Sequence, residues 1–231
     1  MPESNNWFDI AANAIIKTLT YIINTYSGLL QLVVYVLMFV TFSFALYKVY
    51  QAFRVLAHQD LKTITSKSIK SNYYTSTNTP LSVIAASFFF KSKGHYLEEQ
   101  KSDRHNGKII PPDAFIRDAA FQFSDRYFEE KFLEPISMLA NLMPPQGFIG
   151  TIMGMVIHFL SNSGTLNSEV TIAGIATALY TTFIALICYT FLEFFKKIFF
   201  SLAHKRIDEG LNAASSQQIA QRSSNKVENE T

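Results

Sequence analysis

The run Leu29-Leu30-Gln31-Leu32-Val33-Val34-Tyr35-Val36-Leu37-Met38-Phe39-Val40 lies inside a 30-residue block, Thr18 to Tyr47, that contains no Asp, Glu, Lys or Arg. Two more charge-free blocks follow, Pro135 to Ser168 (34 residues) and Val170 to Leu192 (23 residues). Each is longer than the ~20 apolar residues an α-helix needs to cross ~30 Å of hydrocarbon. Outside these 87 residues, 20 basic and 18 acidic side chains share 144 positions, about 26%, the usual density of a water-facing surface. The whole-chain average of 16% charged and 48% hydrophobic therefore conceals two kinds of segment, and a single soluble core is excluded. A formal charge of +2 is too small to point to nucleic acid as a partner.

The first block is not a cleaved signal peptide. Its apolar stretch exceeds the ~7–15 residues of such a segment, and no small-x-small cleavage site follows. The one cysteine, Cys188, sits within the third block, so no intramolecular disulfide and no cysteine-based metal site is available. Orientation follows from the flanking basic residues. Lys48, Arg54, Lys62, Lys67 and Lys70 follow the first block against Asp60 alone, and Lys196, Lys197, Lys205 and Arg206 follow the third. The turn between the second and third blocks holds Glu169 and no basic residue. Positive charge stays on the cytoplasmic side. The expectation is an all-α integral membrane protein with three transmembrane helices, an external N-terminus and a cytoplasmic C-terminus.

Residues 1–26 read as an amphipathic external segment, with Trp7, Ile10, Ala11, Ala14, Ile15, Leu19 and Ile22 at helical spacing. The first span is placed at 27–47. A cytoplasmic helical domain is expected over 48–143. Within it, Leu81 to Phe90 is too short to cross and should pack as a buried helix, while Lys101 to Pro112 reads as a loop. Ala114 to Met143 reads as one long helix leading into the second span at 144–163. A short external turn at 164–169 precedes the third span at 170–195. Residues 196–231 read as a cytoplasmic helix end and, after Gly210, a disordered tail rich in Ser, Gln and Asn.

The chemistry lies in what the spans carry instead of charge. Pro144-Pro145-Gln146-Gly147-Phe148-Ile149-Gly150-Thr151-Ile152-Met153-Gly154 places Gly147, Gly150 and Gly154 on one face of a helix. The third span has a matching stripe of Gly174, Ala178, Thr181, Thr182 and Ala185. Small residues let helices approach closely where hydrophobicity cannot drive association. Thr151, Thr177, Thr181 and Thr182 place hydroxyls at bilayer depth. For any one of them alone, a bond to the backbone carbonyl a turn back is the simpler reading. No carboxylate, lysine or arginine lies in a span, and His158 falls near the outer end of the second. A titrating group within the membrane must then come from another subunit. The cytoplasmic histidines (His58, His95, His105, His204) lack metal-ligand spacing, and no nucleophile elbow or phosphate loop is present, so neither catalytic nor metal residues nor a cofactor is expected.

The second-span run and I175-A-T-A-L179-Y-T-T182-F-I-A-L186 in the third together resemble the TolQ/ExbB/MotA proton-channel family. TolQ- and ExbB-type members read P-x-x-G-L-F-G-T-V-W-G-I, then close to I-A-E-A-L-x-A-T. Pro144, Gly147, Gly150, Thr151 and Gly154 coincide, as do Ile175, Ala176, Ala178, Leu179 and Thr182. The three-span, N-out arrangement suits the TolQ/ExbB branch. Two positions depart: Thr177 stands where that branch has Glu, and Met153 where it has Trp. The MotA branch also lacks the Glu.

The resemblance implies a pentameric ring in the bacterial inner membrane, with the N-terminus periplasmic. Second and third helices line a pore holding single-span partners of the ExbD/TolR/MotB type. The partner's membrane Asp takes up and releases the ion, and Thr151 and Thr182 border its route. Pro144, Gly147, Gly150, Gly154, Gly174, Ala178 and Ala185 then form the packing and pore face. Such a ring would turn proton, or sodium, motive force into mechanical work. The other reading of the same residues is an oligomeric membrane scaffold that uses G-x-x-x-G to self-associate without moving ions.

Overall fold

In the computed structural model, residues 7–70, 79–102, 113–161 and 168–228 are described. They form α1 (Trp7–Val55), α2 (Leu61–Lys70), α3 (Leu81–Ser102), α4 (Asp113–Phe128), one π-helical turn (Glu129–Leu133), α5 (Glu134–Ser161) and α6 (Ser168–Glu228). Among the described residues there is no strand. The loop expected at 101–112 and the turn expected at 164–169 fall mostly outside them.

Among the described residues two helices are long and apolar enough to cross a membrane: the Leu32–Val55 part of α1 and the Ala178–Gln217 part of α6. The third expected span, 144–163, falls largely in α5. That helix carries no Asp, Glu, Lys or Arg after Glu134, and the last two residues expected in the span lie outside those described.

The chain divides into two compact units, Met1–Ala45 with Met138–Leu192, and Leu46–Ser137 with Glu193–Thr231. In the second unit one core gathers Ala52, Val55 and Leu56 of α1, most of Leu81 to Phe89 of α3, Ile116, Ala120 and Phe128 of α4, and Phe199, Ala203, Ile207 and Leu211 of α6. The apolar run of α3 is buried, as its shortness requires. Pro80 begins it, its carbonyl accepting from the Val83 and Ile84 N–H groups at 3.0 and 3.1 Å. Proline suits this place because its fixed φ is preset for the helix and its missing N–H has no helical partner to lose.

Helix α4 turns Ile116, Ala120, Ser124 and Phe128 inward. Phe115 and Phe123, one step around, are exposed. The Ser124 hydroxyl satisfies itself on the Ala120 carbonyl at 2.6 Å, so its burial costs little. The π-helical turn then inserts an extra residue, which rotates the face of all that follows. Phe132 stacks on Phe128 (centroids 5.4 Å apart), and Leu133 and Ile136 re-enter the core. The expected single helix from 114 into the second span is continuous but re-phased here.

The disordered tail expected after Gly210 is corrected. Helix α6 runs to Glu228, and Leu211, Ala213 and Ala214 are buried. The Ser- and Gln-rich composition hid these few apolar positions, whose burial holds the helix. Gly210 itself lies against the backbone carbonyl of Ser82 on α3, closer than any side chain would permit. Nearby, Arg206 donates from Nε to the Leu56 carbonyl at 3.0 Å, meeting one of the acceptors left open past the end of α1. Its Nη1 reaches Glu209 at 2.7 Å and His58 at 2.8 Å.

Candidate functional site: a hydroxyl cluster between two helices

In the first unit α5 and α6 approach along their small residues. A Cβ built on Gly147 would stand 2.5 Å from the Cβ of Ala185 and 3.0 Å from the Cα of Thr182. One on Gly150 would lie 2.9 Å from Thr181 and 3.0 Å from Val34 of α1, and one on Gly154 would lie 2.8 Å from Ala178. Real Cβ contacts are wider than this, so all three positions demand glycine at this helix spacing. The G-x-x-x-G stripe is thus met within the chain by the alanine–threonine stripe of α6.

The close approach brings three hydroxyls onto shared acceptors. Thr151 Oγ1 lies 3.1 Å from the Gly147 carbonyl one turn back, 3.0 Å from the Ala178 carbonyl across the gap and 3.3 Å from Thr181 Oγ1. It also touches Thr182 Oγ1 at very short range. Thr181 Oγ1 donates to the Ala178 carbonyl at 2.7 Å and reaches the Gly147 carbonyl at 3.1 Å. Thr182 Oγ1 reaches that same Gly147 carbonyl at 3.1 Å. Three hydroxyl protons therefore face more acceptor contacts than they can fill at once. Such a network has several hydrogen-bonding arrangements of similar quality, and rotation of one hydroxyl passes the choice to the next.

Thr151 and Thr181 make the local bond to a carbonyl one turn back, and each also crosses to the other helix. Their burial is nearly complete, at 7% and 1% exposure, while Thr182 is half-buried. Ala178 and Ala185 are buried, and Pro144 is half-buried. Gly174 and the Thr177 side chain, both expected at the site, lie outside the described surroundings. No Asp, Glu, Lys or Arg occurs from Pro135 to Ser168 or from Val170 to Leu192, so the cluster is bounded by neutral sequence. Among the described residues no group of three or more His, Cys, Asp or Glu is placed to hold a metal ion.

Two participants escape a reading by side-chain type. The Gly147 carbonyl is the shared acceptor, yet the sequence marks Gly147 only as small. Gln146, from the same run, donates from Nε2 to Thr41 of α1 at 3.1 Å. An amide directly after two prolines in a charge-free block is the signal that points to it.

Among the described residues, then, the chain is helical, has two helices long and apolar enough to cross a membrane, and carries a neutral, hydroxyl-bearing seam between α5 and α6. Residues 116–210 match the MotA/TolQ/ExbB proton channel family, so the family resemblance carried by the second and third charge-free blocks is borne out over that part of the chain. The matched part contains most of α4, the π-helical turn, α5 and most of the apolar length of α6. No curated protein and no solved structure matches the chain. Proteins of this family reside in the inner membrane and work with a single-span subunit of the ExbD/TolR/MotB type.

Proposed function

We propose that this chain is the ring subunit of an ion-driven complex in the bacterial inner membrane, multi-pass, with its N-terminus periplasmic and its C-terminus cytoplasmic. Several copies, five by likeness to the TolQ/ExbB branch, surround a single-span partner carrying a membrane Asp. The observation that carries the reading is the neutral Thr151–Thr181–Thr182 cluster lying within the family-matched residues. Such a seam offers polar groups to an ion but holds no charge of its own.

Thr182, the half-buried member, stands nearest to any approaching group. An ionised carboxylate accepts a hydrogen bond from its hydroxyl, while Thr151 and Thr181 stay on the Gly147 and Ala178 carbonyls. Once the carboxylate is neutralised by its ion, the Thr182 hydroxyl returns to the Gly147 carbonyl. The cost of holding an ionised carboxylate at this depth thus varies with hydroxyl orientation. Hydroxyl and carbonyl oxygens serve a proton relay or a sodium ion equally. Each charge moved releases about 2.3 kcal/mol per 100 mV, which the ring converts into mechanical work.

Native mass spectrometry of the chain co-expressed with its chromosomal neighbours tests this. Five copies with two of a single-span, Asp-bearing protein support the reading. A closed homo-oligomer that binds no such protein favours the scaffold instead.

A further inference from the structure

We propose that the turn Ala140–Gln146 of α5 is a water-binding site that gives water access to the inner end of the ion route, with the amide oxygen of Gln146 as its anchoring acceptor. The inference rests on the topology proposed above, which turns this end of α5 toward the cytoplasm.

Thr41 fixes the orientation of the amide. Its hydroxyl has one proton, which it donates to the Leu37 carbonyl at 2.8 Å. Toward Gln146 it can only accept, so the atom 3.1 Å away is Nε2 and the other is Oε1. Oε1 is buried and has no hydrogen-bond donor among the described residues.

The same turn lacks donors in its backbone. Pro144 and Pro145 lie inside the helix and have no N–H, so the carbonyls of Ala140 and Asn141 lose the partners a regular helix would give them. Beside the undonated Gln146 Oε1, two carbonyls of the same turn thus lack their regular helical donor, and no cation stands in the block to serve them. An unmet polar group in hydrocarbon costs several kcal/mol, and interrupted helices persist at membrane depth only where protein buries them or water reaches them. Acceptors without donors call for a small donor of two protons. Water is the molecule that fits, since a buried water makes about three hydrogen bonds to such groups. Gln146 also precedes Gly147, whose carbonyl is the shared acceptor of the hydroxyl cluster.

The test is thiol accessibility in the assembled complex. In a Cys188→Ala background, Gln146→Cys is treated with a negatively charged methanethiosulfonate, which reacts only with thiols that water reaches. Exposed Glu130→Cys and buried Leu192→Cys serve as the fast and slow references. The expected rate for Gln146→Cys is within about a hundredfold of the fast reference. A rate as slow as Leu192→Cys overturns the proposal. Should Gln146→Cys fail to assemble, Gln146→Met keeps the length and removes both amide atoms. Ion flux about tenfold lower at normal assembly is then expected, and unchanged flux overturns the proposal. Flux loss in threonine variants reports on the ring reading separately, so the two can fail independently.

Discussion

Gly147 and Ala185 face each other across α5 and α6 so closely that a methyl group on the glycine would come within 2.5 Å of the alanine's own. That contact sets the spacing of the seam, and the seam brings Thr151 within reach of Thr182 and of the Ala178 carbonyl. The hydroxyl cluster therefore depends on what Gly147 lacks.

Gly147→Ala should force the helices apart and destabilise the protein by about 1–3 kcal/mol, the usual cost of overpacking a tight contact. Thermal unfolding in detergent reads this as a lower midpoint. Adding Ala185→Gly removes the opposing methyl group and should recover part of the loss. A Gly147→Ala protein as stable as the wild type contradicts the close contact.

The second unit offers a contrast between two helical glycines, neither with positive φ. A Cβ on Gly210 meets the Ser82 backbone, which cannot swing aside, whereas one on Gly94 meets nothing within 4 Å. Gly210→Ala should destabilise by about 1–3 kcal/mol. Gly94→Ala should stabilise by about 0.5–1 kcal/mol, because alanine loses less backbone freedom in a helix. Parallel thermal melts check both signs.

Much of this was legible beforehand, and the misses have physical causes. The charge-free blocks marked the helices, and the brevity of Leu81–Phe90 marked α3 as buried. The family was legible because glycine spacing and Thr151 are restrictive together. The partner of the glycine stripe was not: G-x-x-x-G records that something comes close, not whether it belongs to the same chain. The re-phasing at Glu129–Leu133 was equally hidden, since a π-helical turn leaves no composition signature. The tail reads as disordered because Leu211, Ala213 and Ala214, which are buried, are few among polar residues.

Arg206 should prove more sensitive than its surface neighbours. Arg206→Lys keeps the charge but loses the planar group that serves the Leu56 carbonyl, Glu209 and His58 together. A loss of about 1–2 kcal/mol is expected from the unmet carbonyl and broken pair. Lys205, exposed on the same helix, should tolerate Lys205→Arg within about 0.5 kcal/mol. Chemical denaturation of the two variants distinguishes them.

Thr151→Ser and Thr151→Val separate hydroxyl from shape. Serine retains the bonds to the Gly147 and Ala178 carbonyls, while valine keeps the volume and leaves Thr182 without its neighbour. Ion flux through the reconstituted complex should survive serine and fall about tenfold or more with valine. Equal flux in both variants assigns Thr151 to packing alone.

The most direct measurement is proton and sodium flux through the complex in liposomes under an imposed potential, with the single-span partner present. Thr151→Ala and Thr182→Ala, each assembling normally, should reduce that flux about tenfold or more relative to wild type. Wild-type flux in both variants, with assembly intact, would contradict the ring's role as the ion's route.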